Sequence, residues 1–584
     1  MQARHWLFRP SQYASNQIAA KPPITDHPGR STMSVEAMAQ PTATAVAAPL
    51  PAAAPFGSIV LPLLIALALA MFGPVLNVVS PLLGLAVQTL LALAIAIALP
   101  SYGPVVAIVV LLFQNVFVSI CSPLYASDPS QLEFIKGYNF LSCVLLWLVN
   151  FVSYLPRRRQ CHPLLRRWML ASTVVLVAIG FYLMIGVLQD PKAAAIYLRN
   201  IVLPFLLFQL ALLTASRYRL RVTPLLVTIA VVFIGCGFFE FAFRETWLAL
   251  TNGRTYWYLD GLKAMDAGVW EKQMRATGSV MVDLLDRFRV SFFNTPLLEP
   301  LGLTTVLRLF GPNISAVSFA YGVGFFVLFL TATGRYLLAL AGFALLILCS
   351  VKGALLMVLF VLVAQAATRL IGPVLTLALL LMMLVVYAAV VIVSGLKMGD
   401  YHVIGLMGGV NGFLQQPFGR GLGVGGNLGG DFNSIDWEAA QHLGAVQGAF
   451  ESAVGVLLYQ MGAAALLPLG FCLALALAIW KLYARSGLRA QGMAAFGILI
   501  ILVNGLFQEE ALFSPPALGL MLCMAGLVLG HAIRDATCDL GAAATGPQIA
   551  AAGRDQHFDD SNLSRYEAAV QMRSAVAEPP GRPL

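Results

Sequence analysis

The sequence predicts an all-α polytopic integral membrane protein, with about 12–14 transmembrane helices and two large loops on the outer face. Of its 584 residues, 59% are hydrophobic and only 11% are charged, whereas soluble domains carry about 25% charged residues. Apolar runs of about 20 residues, the length that crosses a bilayer, recur along the chain. These observations exclude a soluble globular protein, a disordered chain and a secreted disulfide scaffold, and the long runs exclude an outer-membrane barrel.

The formal net charge of +9 comes from 36 Lys and Arg against 27 Asp and Glu. We interpret most of it as basic anchors at the cytoplasmic ends of helices. The aromatic-interleaved basic stripe of single-strand binders is missing, so we expect no nucleic-acid partner. The eight cysteines form no CxxC pair, and we expect them to pack as small side chains and to hold no metal.

Three regions follow one another along the chain. Residues 1–57 are an Ala- and Pro-rich tail that we expect to be disordered and cytoplasmic, and translation from Met33 is an alternative to Met1. Residues 58–532 form the membrane domain, and residues 533–584 form a polar cytoplasmic tail. About fourteen spans are predicted, uncertain by two, at 58–78, 82–99, 104–121, 138–155, 168–188, 194–215, 224–243, 314–331, 336–351, 354–367, 373–395, 462–482, 493–507 and 516–532.

Short basic loops set the predicted orientation, because Lys and Arg concentrate on the cytoplasmic side. Alternating spans from a cytoplasmic N-terminus place all of these loops, and the C-terminus, inside. The agreement requires that residues 450–461 do not span, so we interpret them as lying along or dipping into the outer interface. The basic loops are 156–167, 216–221, the turns at Arg335 and Arg369, and 481–489.

Two long loops, 244–313 and 396–449, then fall on the outer face, and loops of this length are usually functional. The second contains the glycine-rich sequence QQPFGRGLGVGGNLGGDF, residues 415–432. Glycines at Gly419, Gly421 and Gly423 free the backbone, so that successive amides can surround an anion beside the guanidinium of Arg420. The alternative is a flexible linker. The sequence is neither a Walker motif nor a dinucleotide-binding motif, since no βαβ unit is present.

Acidic groups and one imidazole follow this loop, and either type can deprotonate an acceptor hydroxyl. Glu451 opens the mostly apolar stretch ESAVGVLLYQMG, where desolvation would raise its pKa and make it a better base. His442 is the second candidate. The alternative for each is an ordinary loop side chain.

Five cations are expected on the outer face beside lipid: Arg199, Arg287, Arg289, Lys352 and Arg420. Each has a plain alternative, such as an anchor in the lipid headgroups or, for Lys352, the cap of a helical hairpin. Together they suit a lipid-linked diphosphate, whose negative charge must be stabilised as its bond to a sugar breaks.

This pattern resembles the superfamily of O-antigen polymerases and O-antigen ligases of bacterial envelopes. RFRVSFFNTPLLEPLG looks like the family's Arg-x-x-Gly-Thr-Phe-x-Asn-Pro stretch, and CSVKGALL is similar to its Ser-Arg/Lys-Gly-Ala-Leu segment. PFGRGLGVGG resembles its Pro-x-x-Gly-x-Gly-x-Gly loop, and ESAVGVLLYQMGAAALL resembles the segment before its final helices. The resemblance covers roughly residues 199–482.

The resemblance implies a metal-independent glycosyltransferase without a cofactor, in the bacterial inner membrane. The donor would be an undecaprenyl-diphosphate-linked glycan, with Arg199, Arg289 and Arg420 as diphosphate contacts. Where ligases show His-Asn, this sequence has Glu451-Ser452, which favours a polymerase with Glu451 as base and His442 in reserve. Partners would be the lipid-linked oligosaccharide, membrane lipids, a flippase and a chain-length regulator. The alternatives are an O-antigen ligase, a transporter of polysaccharide precursors and a structural scaffold.

Overall fold

The computed structural model describes residues 56–125, 129–266, 289–290, 302, 306–427, 437–446 and 448–545. All of them belong to one unit that begins at Ala52. The predicted class is confirmed, because regular structure in the described residues is helical apart from one two-stranded ribbon. In this ribbon β1 (Arg289–Val290) pairs antiparallel with β2 (Val306–Leu307).

Within the described residues, ten α-helices precede the ribbon: α1 (Phe56–Asn77), α2 (Pro81–Ala98), α3 (Gly103–Ile120), α4 (Pro129–Lys136), α5 (Tyr138–Tyr154), α6 (Pro163–Val187), α7 (Pro191–Arg217), α8 (Val222–Ala242), α9 (Arg244–Thr251) and α10 (Gly253–Asp266). Eleven follow it: α11 (Ala316–Ala332), α12 (Tyr336–Leu348), α13 (Lys352–Ile371), α14 (Pro373–Met398), α15 (Tyr401–Gln415), α16 (Trp437–Leu443), α17 (Ala453–Met461), α18 (Leu466–Ser486), α19 (Arg489–Asn504), α20 (Glu509–Phe513) and α21 (Leu520–Thr545).

Eleven helical stretches of the described chain are long and apolar enough to cross a membrane. Three shorter apolar helices, α11, α12 and α19, accompany them, and together they account for the fourteen predicted spans. The C-terminal boundary of the membrane domain differs from the prediction. Helix α21 continues to Thr545, past the predicted end of the membrane domain, while most of each predicted tail lies outside the described residues.

The segment before Gly462 forms α17, a helix of nine residues. At about 1.5 Å per residue it is too short to cross a hydrocarbon core about 30 Å thick. It ends at Gly462, whose φ of 55° lies in the left-handed region, and a 3₁₀ turn (Gly462–Ala465) then leads into α18. This geometry agrees with the interpretation that residues 450–461 do not span by themselves.

Both long loops contain helices that the sequence analysis did not predict. The first begins with α9 and α10, and their Trp247 and Trp257 pack with Phe310 in a buried cluster. The second contains α15, which is nearly as long as a short span and packs closely on α17. Aromatic and apolar residues in the described parts of both loops are therefore packed against other helices.

Helices α3, α7 and α21 form the centre of the membrane domain. In an apolar stretch of 18 residues within each of the spans Pro191–Arg217 and Pro515–Thr537, 78% and 83% of the residues are buried, against 17% in the peripheral Pro373–Met398. Helices α7 and α21 approach closely because α21 presents glycines to α7. A Cβ atom at Gly526 would lie 2.6 Å from the carbonyl oxygen of Phe208, and one at Gly530 would lie 2.7 Å from Ala215 Cβ.

Polar side chains inside the bundle pair across helices. Gln209 of α7 accepts a hydrogen bond from Trp147 Nε1 at 2.7 Å and donates to the hydroxyl of Ser172 at 2.8 Å. Such bonds between membrane helices contribute about 0.6–2 kcal/mol each. Gln209 thereby fixes α5 and α6 against the central helix.

The connections between the helices lie at two opposite ends of the bundle. Arg489 donates to the Thr331 carbonyl oxygen and Gln365 donates to the Arg489 carbonyl oxygen, while Arg534 donates to the Tyr218 carbonyl oxygen. These contacts join predicted cytoplasmic loops at one end of the bundle, which we call the basic face. The opposite end carries the described parts of both long loops, and we call it the loop face.

Adding a methyl group at Gly526 should destabilise the protein, because the new Cβ would collide with the backbone of α7. We expect Gly526→Ala to lower the free energy of unfolding by about 1–3 kcal/mol. Thermal unfolding of the purified protein in detergent measures this. Gly180→Ala on α6 is the matched control, since no atom lies within 4 Å of its added Cβ. Equal stability of the two variants would contradict the close packing.

Candidate functional site

The glycine-rich loop threads between helix ends on the loop face. The amide of Leu422 donates to the carbonyl oxygen of Tyr182, and the amide of Gly421 donates to that of Gln460. Gly421 and Gly423 have φ values of 103° and 87°. A Cβ at Gly423 would lie 2.4 Å from the backbone nitrogen of Ala194. The glycines are therefore needed for close packing against α6 and α7.

These contacts bear on both interpretations of the glycine-rich loop, the anion site and the flexible linker. The amides of Gly419 and Gly421, which the sequence analysis assigned to an anion, donate to the carbonyl oxygens of Gln416 and Gln460. The segment is not a loose linker either, since residues 421–423 are buried. Protein acceptors satisfy these two amides, so neither of them is available to an anion in this arrangement.

Three contacts hold Arg420 in place. Its Nη1 donates to the carbonyl oxygen of Gly412 at 2.8 Å, at the end of α15. Its guanidinium carbon lies 4.1 Å from the ring centroid of Tyr459 on α17, a cation–π contact. Gln189 donates to its carbonyl oxygen. Arg420 thus joins α15, α17 and the end of α6.

Asn427, the last residue of the glycine-rich loop that the structure describes, contacts a buried carboxyl group. Glu509, on the short helix α20, accepts a hydrogen bond from the Tyr197 hydroxyl at 2.6 Å and one from the Asn427 amide at 3.0 Å. Burial raises the pKa of Glu509 to about 8, although both hydrogen bonds act to lower it. One side chain therefore connects α7, α20 and the second long loop.

Asn427 also forms a hydrogen bond with Glu451. Its side-chain oxygen accepts from the Glu451 amide at 2.9 Å, and Glu451 has a φ of 61°. A left-handed backbone is costly for a residue other than glycine and occurs often at functional sites. Glu451 is therefore held in an unusual conformation by a contact that begins at Glu509.

The Glu451 carboxylate faces His402, a residue that the sequence analysis did not select. Glu451 Oε2 lies 3.4 Å from His402 Nδ1, and the two side chains keep 23% and 41% of their surfaces exposed. Burial acts to lower the pKa of His402, but the neighbouring carboxylate of Glu451 and the charges of Asp400 and Glu510 raise it on balance. The pair is loosely joined and accessible.

Further charges surround this pair. Burial, followed by the charge of Glu451, raises the pKa of Glu510, while His402 and Arg308 act in the opposite direction. Arg308 has its Nε buried without a hydrogen-bond partner in the described chain, and burial lowers its pKa while Glu510 raises it. Lys352, at the start of α13, is attracted by Asp400. The result is a mixed-charge cluster on the loop face.

The remaining predicted residues do not join this cluster as a set. Arg199 donates to the Asn200 side chain and is attracted by Glu133. Arg289 is exposed on β1, near Arg244, and Arg287 lies outside the described residues. His442 is exposed on α16, and in the described part of the chain no hydrogen bond or ion pair joins it to Glu451.

The cluster comprises Asp400, His402, Glu451, Glu509, Glu510, Arg308 and Lys352, and only Glu451 and Lys352 were predicted. A sequence signal existed for two others, because Glu509 and Glu510 are adjacent acids between the last two apolar spans. In the part of the chain that the structure describes, no three His, Cys, Asp or Glu side chains are placed so that together they could hold a metal ion. Comparison with protein-family models, with curated proteins and with solved structures finds no match to this chain.

The buried Glu509 should make stability depend on pH. Its folded-state pKa lies above that of an unfolded carboxyl group, so the stabilisation is complete below about pH 4.5 and is lost as the pH rises through about 8. We expect the melting temperature to fall over this range, and Glu509→Gln to flatten the fall. The variant loses one acceptor, so its stability at low pH should drop by about 1 kcal/mol.

The exposed Glu245, with 74% of its side chain accessible, gives the matched control. Glu245→Gln should leave the slope of melting temperature against pH unchanged. A Glu509→Gln variant with the wild-type slope would show that the carboxyl group does not titrate as the structure indicates.

Proposed function

We propose that this multi-pass membrane protein is a polysaccharide polymerase of the bacterial inner membrane. It would transfer a growing glycan from undecaprenyl diphosphate to a newly delivered lipid-linked repeat unit at the periplasmic face, with both termini cytoplasmic. The observation that carries the proposal is the accessible His402–Glu451 pair, which lies among cations on the side of the membrane that holds both long loops. The resemblance of the sequence motifs supports the same function.

His402 is the proposed general base. Its Nδ1 faces Glu451, so its Nε2 is the nitrogen available to an acceptor hydroxyl. This is the arrangement in which a carboxylate orients an imidazole. Glu451, which the sequence analysis selected as base, then takes the orienting position. The separation of 3.4 Å is long, but catalytic hydrogen bonds often tighten only when substrate is bound.

The chemistry is a single displacement. The acceptor hydroxyl gives its proton to His402 Nε2 while its oxygen attacks the anomeric carbon of the donor sugar. The bond from that carbon to the diphosphate oxygen breaks, and the carrier diphosphate leaves with the electron pair, so the anomeric configuration inverts. Cationic groups stabilise the charge that develops on this leaving group.

Arg308, Lys352 and Arg289 are the cations we assign to the diphosphate. Arg308 and Lys352 belong to the mixed-charge cluster, and Arg289 is exposed on the ribbon whose second strand ends beside Arg308. Arg199 and Arg420 are better placed to position helices and loops. Arg287 stays a sequence-based candidate.

An O-antigen ligase is the second candidate, and one observation favours it. The sequence departs from the ligase pattern because it has Glu451-Ser452 where ligases show His-Asn, yet the fold brings a histidine, His402, to Glu451. A deletion strain separates the alternatives. Accumulation of single lipid-linked repeats supports the polymerase, and full polymer left on the carrier supports the ligase. Repeats trapped in the inner leaflet would contradict both and indicate a flippase.

Substitution of the pair should reduce polymer formation strongly. We expect His402→Gln to lower the rate about 10²–10⁴-fold, the usual contribution of a general base. Glu451→Gln should lower the rate and move the alkaline-rising limb of the rate–pH profile to lower pH, because Glu451 raises the pKa of His402. The assay follows chain extension by purified protein supplied with a lipid-diphosphate oligosaccharide.

Single alanine substitutions test the cations. Arg289→Ala and Lys352→Ala should shorten the polymer made in a complemented deletion strain, whereas Arg420→Ala should act mainly by lowering the melting temperature. Arg369→Ala, an exposed arginine of the basic face, is the control. Wild-type polymer from both Arg289→Ala and Lys352→Ala would remove them from the site.

A further inference from the structure

A cavity of about 310 Å³ opens on the basic face, on the opposite side of the membrane domain from the mixed-charge cluster. It lies where the first residues of α1 and α3 meet the connection between α7 and α8. Its volume is at the lower end of the range for small-molecule sites, about 300–1,000 Å³. Nothing in the proposed reaction uses this cavity.

Part of the cavity lining is cationic and hydrogen-bonding. Arg219 and Arg221 line it together with Ser101 and Tyr102, and both arginines are exposed. The guanidinium of Arg221 and the hydroxyl of Tyr102 have no hydrogen-bond or ion-pair partner in the part of the chain that the structure describes. These donors can therefore converge on a bound anion.

Another part of the lining is apolar and comes from helices of the membrane domain. Ile59, Val105 and Leu225 line it, and each belongs to a helix long and apolar enough to span. Helix α1 is thinly packed, with Leu61 and Leu64 exposed by 59% and 57%, so lipid covers its outer surface. A ligand that matches both parts of the lining has an anionic head and an apolar tail.

We propose that this cavity binds an anionic phospholipid, with the headgroup phosphate on Arg221 and Arg219 and an acyl chain along α1 and α8. Basic pockets between membrane helices commonly bind such headgroups. Free inorganic phosphate shares the anion chemistry but lacks the tail. The apolar part of the lining therefore distinguishes the two ligands. The inference stands apart from the proposed polymerase function.

The test uses the full chain, purified in detergent and delipidated, then titrated with phosphatidylglycerol, phosphatidylcholine or inorganic phosphate. Native mass spectrometry counts bound lipid, and thermal unfolding gives the apparent affinity. We expect wild type to retain phosphatidylglycerol in preference to phosphatidylcholine. Arg221→Ala should weaken phosphatidylglycerol binding about fivefold, the effect of one surface charge on anionic lipid, and Tyr102→Phe should weaken it less.

Arg158→Ala is the matched control, because Arg158 is exposed on the same predicted cytoplasmic side and does not line the cavity. It should bind phosphatidylglycerol as wild type does. Arg221→Ala should melt at the wild-type temperature without lipid, since its side chain has no partner to lose in the described chain. Equal binding of the two phospholipids, equal loss in both variants, or inorganic phosphate binding as tightly as phosphatidylglycerol would overturn the proposal.

Discussion

The carboxyl group of Glu509 is the contact on which the loop face depends. It accepts from Tyr197 on the central helix α7 and from the amide of Asn427 at the end of the glycine-rich loop. Asn427 in turn accepts from the amide of Glu451, whose carboxylate faces His402. Because buried polar groups must find partners inside the protein, this continuous series fixes the position of the accessible pair relative to the rigid bundle. A site built on loops thereby gains the precision of a site built on helices.

Different interactions hold the helices of the bundle together. In hydrocarbon, helices gain nothing by burying apolar surface from lipid, so they associate through close packing and hydrogen bonds. The glycines of α21 and the Gln209 bonds of α7 supply both. The two faces also differ. On the basic face, single hydrogen bonds join short turns. The loop face carries additional helices and the buried carboxyl group of Glu509.

The fold class and the number of apolar helices followed from composition and run length, because hydropathy reports directly what a bilayer requires. The short helices α9, α10 and α15 were not predicted, since the polar and aromatic residues of these loops hide their helical period. Glu451 and Lys352 were found because each is a charge in an apolar stretch. His402 was missed because its partner lies 49 positions further along the chain, and the contacts of Arg420 with Gly412 and Tyr459 were missed because they exist only after folding. Pairings of this kind are set by tertiary structure and leave no local pattern.

The left-handed backbone at Glu451 has a consequence for how the protein tolerates change. Conformations of this type cost on the order of 1–3 kcal/mol for residues with a Cβ, and glycine adopts them freely. Replacement of Glu451 by glycine would relax the backbone while it removes the carboxylate. Selection for thermostability and selection for activity should therefore favour opposite residues at this one position, and a stabilised but inactive glycine variant would be the signature of that trade-off.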